Sequence, residues 1–424
     1  MVDALDECDN DKDIRIIVQL LAEAQSLKTA CLRVFLTSRS EVPIRNGFGE
    51  VPDGEHRDFV LHNISPPIVD RDISLFLQHN FKLIGREQSL DINWPGAEVI
   101  EQFVQIAGSL FIWAATACRY IQEGLCADNN VQILLEGSTC TTAPEEHLNE
   151  LYTTVLRRSV RQHYSPTEKK ALYSMLRRIL GSIVVLFSLL TASSLCRLLD
   201  IAENKINQAL KDLHAILDIP KVDTNPLRLH HPSFRDFLLD PKRCADQDLW
   251  VDEEQAHQIL ADRCIQLMSK SLKQDICGVG APGMLVTDVE RSFIEQGLSP
   301  EVQYACCYWM DHVQKSGTQL RDNDQVHVFL QEHLLHWLEA LGWIGKISDG
   351  VHAIAALESF VPVSNVCCSL GRGFANSVYS LVNAQDSGAS STMRSGLCYI
   401  IEQRSSRLRS RRTAVHSYSH QHRA

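Results

Sequence analysis

No Gly-x-x-x-x-Gly-Lys-Ser/Thr run occurs anywhere in the 424 residues. The chain therefore lacks the amide-lined phosphate cradle and the lysine that such a loop supplies. Gly278-Val-Gly-Ala-Pro-Gly has no lysine and sits in helical sequence, so it is no substitute. No Gly-x-Ser-x-Gly elbow appears either, which leaves nucleophilic-serine hydrolysis without support. The 14 cysteines form no Cys-x-x-Cys, and the adjacent pairs Cys306–Cys307 and Cys367–Cys368 cannot easily chelate one metal ion together. They read as buried thiols of a reducing compartment. Positive charge is in deficit, with 41 Lys+Arg against 52 Asp+Glu and a net charge of −11. Such a chain has no global pull toward nucleic acid or an anionic membrane. The longest apolar run, Ile179 to Ala192, falls short of the roughly 20 residues that a membrane-crossing helix needs. The opening Met1-Val-Asp-Ala-Leu-Asp-Glu lacks an apolar signal core. Together these absences point to the cytoplasm, with neither nucleic acid nor membrane as a partner.

What is present is apolar mass: 45% of the residues are hydrophobic, enough for two to four domains with real cores. Ile14, Ile17, Val18 and Leu21 recur at helical spacing, and Leu32-Arg-Val-Phe-Leu-Thr reads as a buried strand. With the apolar stub Val2 to Leu5, this gives strand, helix, strand, the pattern of a parallel sheet. From Asp70 onward the pattern is helical. Helices are expected over Asp70–Phe81, from Trp94-Pro-Gly to Gly108, over Leu110–Ile121 and over Leu148–Val160, with Asp128–Thr142 as a loose linker. Ser165 to Asp240 reads as three helices, the third over Glu203–Leu217, then a hairpin over Ile219–Leu229, which is the order of a winged helix. Helices follow at Gln255–Leu272, Pro300–Gln314, Gln325–Leu341 and Ile344–Ser359, a helical array without a fixed repeat period. From Asp386 a Ser-, Arg- and His-rich composition indicates disorder.

The chemistry sits at the start. Val2-Asp3-Ala4-Leu5-Asp6-Glu7 is an apolar strand that ends in acids, which places carboxylates at the C-terminal edge of a parallel sheet, where ligands bind. An aspartate there holds Mg²⁺ in phosphate-transferring sites. Asp3 takes that part, with Asp6 and Glu7 near the attacking water. The same acids also fit simple capping of the following helix. The next strand delivers Thr37-Ser38-Arg39 to the same edge, where an arginine can sense or neutralise a terminal phosphate. A surface arginine beyond a strand is the plainer account. The two strings together, about thirty residues apart, are more specific than either alone.

At this point the chain resembles the NACHT family of signalling NTPases, in its fungal, vegetative-incompatibility branch. Val2-Asp-Ala-Leu-Asp-Glu-Cys resembles the Walker B segment and Thr37-Ser-Arg resembles sensor 1. Trp94-Pro-Gly and Ala107-Gly-Ser-Leu-Phe-Ile-Trp-Ala-Ala-Thr-Ala resemble the branch's helical subdomain. Leu229-His-His-Pro-Ser-Phe-Arg-Asp-Phe-Leu resembles the winged-helix segment whose histidine meets the diphosphate, with His231 the best match and His230 the fallback. Tyr304-Ala-Cys-Cys-Tyr-Trp-Met-Asp-His and Phe329-Leu-Gln-Glu-His-Leu-Leu-His-Trp-Leu-Glu-Ala-Leu resemble the helical region that follows.

The resemblance implies a mainly α fold with a truncated α/β P-loop NTPase remnant. The expected division is the NTPase half over 1–66, helical subdomain over 67–162, winged helix over 163–243, helical array over 250–383 and disordered tail over 384–424. It implies a regulatory switch: ADP holds the parts closed, and exchange for ATP (or GTP, with Mg²⁺ on Asp3) opens them and drives assembly. Thr37, Arg39 and His231 are the expected nucleotide contacts, and Asp3, Asp6 and Glu7 a vestigial catalytic set. Because no P-loop is present, nucleotide is expected to bind this chain weakly or not at all, so that it is not an enzyme by itself. A truncated gene model is the favoured explanation of the pattern. The alternative is a scaffold or decoy that pairs with full-length homologous NTPases.

Three further features invite other readings. A DNA-reading helix over Glu203–Leu217 would carry Lys205 and Lys211 against Glu203, Asp212 and Asp218, a poor surface for phosphates. His333 and His336, near Glu332 and Glu339, fit an amphipathic helix face better than a metal site, since no third ligand converges. The tail arginines fit RNA or acidic partners no better than meaningless translated sequence.

Overall fold

Helix formation dominates because apolar residues recur at three- and four-residue spacing almost everywhere except at the N-terminus. In the computed structural model the described residues run from 1 to 360, leaving out 9–10, 25–32, 53, 55, 125, 138–142, 161–163, 221, 223, 281–285, 287–288 and 322–323. The Cys367–Cys368 pair and the Ser/Arg/His tail over 384–424 lie outside the described residues. The chain divides into two compact units, Met1–Val69 and the part from Asp70 onward. Among the described residues no helix is long and apolar enough to cross a membrane.

The first unit contains α1 (Asp11–Glu23) and α2 (Val42–Gly49). They pack around Leu5, Ile14, Val18 and Ile44, with Val2, Ile17, Leu36, Phe48 and Val51 at the margin. The expected strand over residues 32–37 shrinks to one parallel bridge, Val2 to Leu36, and Leu32 is outside the described residues. That segment is also not buried as expected, for Val34 is exposed and Phe35 is 65% exposed. Parallel strands need cover on both faces, and two short segments do not provide it.

The second unit opens with α3 (Pro66–Glu87), α4 (Ala97–Ala107), α5 (Phe111–Glu123), α6 (Ala127–Gly137) and α7 (Pro144–Ser159). Its core is a run of edge-on or tilted rings: Trp94 to Phe81 at 5.6 Å, Phe81 to Phe103 at 5.5 Å and Phe103 to Trp113 at 5.4 Å. Pro95 precedes α4 instead of opening it, in a cis peptide with Trp94. Gly108 closes α4 in the left-handed conformation (φ 49°), and a Cβ there would come within 2.5 Å of the Pro144 side chain. The expected linker over 128–142 is a helix over most of its length. Ala127, Val131 and Leu134 bury one face of α6, and fully buried Asn130 donates to the Tyr120 carbonyl at 3.2 Å while accepting from Arg158.

Next come α8 (Pro166–Val184), α9 (Ala192–Leu199) and α10 (Glu203–Leu210), then the antiparallel pair β1 (Leu217–Asp218) and β2 (Arg228–Leu229), then α11 (Ser233–Leu239). Ser165 caps α8 reciprocally with Glu168, and Thr191 caps α9. The third helix ends at Leu210, earlier than its apolar spacing suggests. Leu213 and Leu217 are buried from a turn and a strand rather than from a helix. The unit continues with α12 (Glu253–Ser271), α13 (Arg291–Gly297), α14 (Pro300–Lys315), α15 (Gln325–Ile344) and α16 (Ile347–Phe360). Helix α12 lies chiefly along α14. Trp309 stands edge-on to Trp337 at 5.5 Å and to Phe329 at 5.8 Å, and the Trp337 indole donates to the Cys306 carbonyl at 2.8 Å.

Candidate functional site

Two short extended segments build the site of the first unit. The Val2 amide donates to the Phe35 carbonyl and the Thr37 amide to the Val2 carbonyl, both at 2.9 Å. Beyond the bridge, Ala4 turns left-handed (φ 50°), which lets its amide donate to Thr37 Oγ1 at 2.9 Å and the Leu5 amide to the Thr37 carbonyl at 3.0 Å. A 3-10 turn over Leu5–Glu7 follows, anchored by buried Leu5. The acids are thereby wrapped around the end of the neighbouring segment.

Asp3 and Asp6 each have a partner there. Thr37 Oγ1, which accepts from Ala4, donates its own hydrogen to Asp3 Oδ1. Asp3 is otherwise exposed. Asp6 Oδ1 accepts from Ser38 Oγ at 3.1 Å and from the Arg39 amide at 2.9 Å, and the Arg39 Nε lies 3.6 Å from Asp6 Oδ2. The Asp6 side chain is only 8% exposed, so these donors replace water that it has lost. Asp3, Asp6, Thr37 and Arg39 thus meet at one edge, as their order in the sequence suggested. Glu7 ends the 3-10 turn, and its side chain lies outside the described residues. Ser38 is a member that sequence reasoning named only as part of a string. Among the described residues no group of three or more His, Cys, Asp or Glu is placed to hold a metal ion.

His231 belongs to the second unit, just before α11. Its Nδ1 accepts from the Ser233 amide at 3.1 Å and lies 2.7 Å from Ser233 Oγ, which in turn is 2.8 Å from the Tyr152 hydroxyl of α7. An accepting Nδ1 puts the hydrogen of the neutral ring on Nε2, the nitrogen that can donate to an anion. His230 faces the other way, its Nε2 2.9 Å from the His214 carbonyl. Burial, and then the nearby Arg119 charge, lower the His230 pKa. Arg119 itself was not anticipated, although its Nη1 is buried without a hydrogen-bond partner. An arginine in an otherwise apolar helix, Phe111-Ile-Trp-Ala-Ala-Thr-Ala-Cys-Arg119, was the available signal.

The remaining candidates are structural. His333 stacks on Phe329 at 5.9 Å and lies 3.4 Å from His336 through their Nδ1 atoms. Glu339 accepts from the amides of Asp275 and Ile276 at 3.3 and 3.2 Å. Lys211 pairs with Asp212 at 3.8 Å.

No family model matches the chain, and no solved structure matches it. Among curated proteins it is 22% identical over 382 residues to the vegetative incompatibility protein HET-E-1 of Podospora anserina, an alignment covering 85% of the chain and 26% of that relative. The chain thus spans about a quarter of the length of the curated relative it matches, and the relationship to this fungal incompatibility protein is a distant one.

Proposed function

We propose that the chain is a piece of a NACHT-type regulatory NTPase switch from fungal non-self recognition. In this reading residues 1–66 supply Walker B and sensor 1, 67–162 a helical subdomain, 163–243 a winged helix and 250–383 a helical array. The carrying observation is the pairing across the Val2–Leu36 bridge, where Thr37 holds Asp3 and Ser38 with Arg39 holds Asp6. Adjacent parallel segments delivering acids and an arginine to one edge suit the metal-and-water half of a nucleotide site. Asp3 would face the magnesium ion, Asp6 and Glu7 the water and Arg39 the terminal phosphate.

The fit to nucleotide is partial. The described residues offer two placed acids and a tethered arginine at that edge, and the sequence offers no glycine-lysine cradle for the phosphates. On this reading the chain alone retains neither ATP nor ADP, and its partners are full-length NTPases of the same kind. A scaffold or decoy role is the second reading. It is favoured by the Ser38 hydroxyl and the Arg39 amide, which already occupy Asp6 Oδ1.

Calorimetric titration of the purified chain with Mg·ATP and Mg·ADP tests the first reading. No heat of binding is expected at micromolar nucleotide. Adding a polypeptide that carries the P-loop half is expected to give retention that Asp3→Ala removes. Micromolar binding by the chain alone refutes it.

A further inference from the structure

Outside the candidate site, the interior holds a continuous relay of polar groups. His257 of α12 and His312 of α14 are 2% and 0% exposed, with their Nδ1 atoms 2.8 Å apart. His312 Nε2 lies 2.7 Å from the Tyr304 hydroxyl, which also receives the Phe187 amide at 3.3 Å. Phe187 lies on the connection between α8 and α9, and its ring packs on His312 at 4.8 Å, Tyr308 at 5.6 Å and His257 at 5.8 Å.

The positions of the hydrogens follow link by link. An amide N–H can only donate, so the Tyr304 oxygen accepts it, and His312 Nε2 at 2.7 Å is the acceptor placed for the hydroxyl's own hydrogen. That nitrogen is then bare, so His312 carries its hydrogen on Nδ1 and donates to His257 Nδ1. His257 in turn carries its hydrogen on Nε2, which faces the Glu253 carboxylate at 4.0 Å. The three links within hydrogen-bond distance, Phe187 to Tyr304, Tyr304 to His312 and His312 to His257, are satisfied with both rings neutral. A proton added to His257 Nδ1 would set hydrogen against hydrogen across the shared contact. A proton added to His312 Nε2 would strip the Tyr304 hydroxyl of its acceptor.

The surroundings do not favour a cation. Among the described residues two acids bear on the relay: Glu253, which also pairs with Arg235 of α11 at 3.2 Å, and Asp311 of α14, which acts on Tyr304. Lys315 of α14 and Arg235 both oppose charge on His257. Tyr304, Tyr308 and Cys264 contribute neutral groups, and the α8–α9 connection contributes the Phe187 ring and amide. Helices α9 and α15 meet this region through other pairs, Arg197 with Glu301 and Gln325 with the Asp262 carbonyl. Burial, then Lys315 and Arg235, bring the His257 pKa down to about 4. Burial, then His257, bring that of His312 down to about 3.

We propose that the Phe187–Tyr304–His312–His257 relay is an acid-sensitive latch fastening α12 and the α8–α9 connection to α14. The latch is closed with both rings neutral and opens as they are protonated. The sign follows from linkage. Unfolded or opened histidine binds its proton near pH 6.5, while the closed pair binds it far lower, so the latch is at full strength above about pH 6.5 and weakens as pH falls toward 4. At pH 5 each ring locked neutral shifts the opening equilibrium by about 30-fold, and the pair by about 10³.

Hydrogen–deuterium exchange of the full chain at pH 7.5 and 5.0, corrected for intrinsic exchange rates, tests the latch. Peptides spanning 185–190, α12 and α14 are expected to lose at least tenfold protection at pH 5.0, while α4 and α5 keep theirs. In His257→Gln/His312→Gln the difference between the two pH values should vanish. Equal protection at both pH values in the unsubstituted chain, or the same loss in the double variant, overturns the proposal. Ring carbon and nitrogen shifts of the unsubstituted chain give a readout that needs no variant. Neutral rings at pH 6, with His312 as the Nδ1–H tautomer, support the relay; an imidazolium in the pair, or an Nε2–H on His312, overturns it.

Discussion

Replacing Arg197 with methionine isolates one of the few charges buried in the second unit. Glu301 stands in the first turn of α14 and is 3% exposed. Its Oε1 accepts from Arg197 Nε at 2.6 Å and from Ser299 Oγ at 2.7 Å, and its Oε2 from Arg197 Nη2 at 3.3 Å. The fork reaches across from the last turn of α9, so each charge also suits the helix end it occupies. Burial alone would raise the Glu301 pKa. The Arg197 and Ser299 hydrogen bonds, the residue's own amide and the Arg197 charge outweigh it, leaving the pKa below its ordinary value. The carboxylate therefore contributes stability above about pH 4.5, and that contribution is lost as pH falls through the lowered value.

Arg197→Met keeps the aliphatic stem and removes the fork, leaving a carboxylate held by one hydroxyl and its amide. Breaking a buried pair from one side costs about 3–5 kcal/mol, and the lower end applies because the guanidinium side is half exposed and water reaches it. The assay is urea unfolding at pH 7.5, followed through the fluorescence of the buried Trp309 and Trp337. A loss of about 3 kcal/mol is expected, shrinking toward pH 4.5 as the stranded carboxyl takes up a proton. Arg197→Met/Glu301→Leu, which removes both charges, should recover to within about 1 kcal/mol of the parent. A single variant within about 0.5 kcal/mol of the parent, or a double variant as unstable as the single, would refute the reasoning.

Other expectations follow the same logic. Gly108→Ala combines a left-handed backbone with a Cβ placed 2.5 Å from Pro144, and should lower stability by about 2–4 kcal/mol in thermal unfolding. Trp337→Ala empties a fully buried site and removes the indole hydrogen bond to the Cys306 carbonyl, so a loss of about 3–5 kcal/mol is expected in urea. Ser165→Ala removes the α8 cap that works reciprocally with Glu168, for about 1 kcal/mol, measurable by the same unfolding curves. Thr37→Val deprives Asp3 and the Ala4 amide of one hydroxyl; faster amide exchange at Ala4 with an unchanged second unit is the expected result.

Helices were legible wherever one face carried the period, as in α1, α12, α14 and α15, and in α5 from its nearly continuous apolar run. They were missed where polar residues masked it. In α6 the triad Ala127, Val131 and Leu134 keeps helical spacing, but it is embedded among Asp128, Asn129 and Asn130, which read as loop. Asn130 is buried because backbone carbonyls and Arg158 satisfy it, a fact about tertiary neighbours that no local pattern carries. The end of α10 was misread for the opposite reason. Leu213 and Leu217 keep helical spacing while serving a turn and a strand, since apolar spacing reports burial rather than backbone type. At the candidate site the acids and Thr37-Ser-Arg were visible as strings. Which oxygen each donor reaches was not, because that depends on the left-handed Ala4, a conformation with no mark in the sequence.

That turn bears on what the site can do. Asp6 is nearly buried, and its donors are a serine hydroxyl, a backbone amide and one half-exposed guanidinium. Two of the three are fixed by the backbone bridge and stay when Arg39 moves. The ion pair with Arg39 is the loose member: at 3.6 Å and with the arginine 41% exposed, it belongs to the class worth about 0–1 kcal/mol. Breaking that ion pair therefore leaves Asp6 still bonded and costs little. An incoming phosphate that offers a bidentate partner can exceed that cost without unfolding the edge. Arg39→Ala should accordingly leave the Val2–Leu36 bridge intact, with amide exchange at Thr37 unchanged, whereas Asp6→Ala strands the Arg39 amide and leaves the Ser38 hydroxyl with the Arg39 carbonyl alone, and should speed exchange at Thr37 and Arg39. If Arg39→Ala loosens the bridge as much as Asp6→Ala does, the arginine is a structural member of the edge and is not available to a ligand.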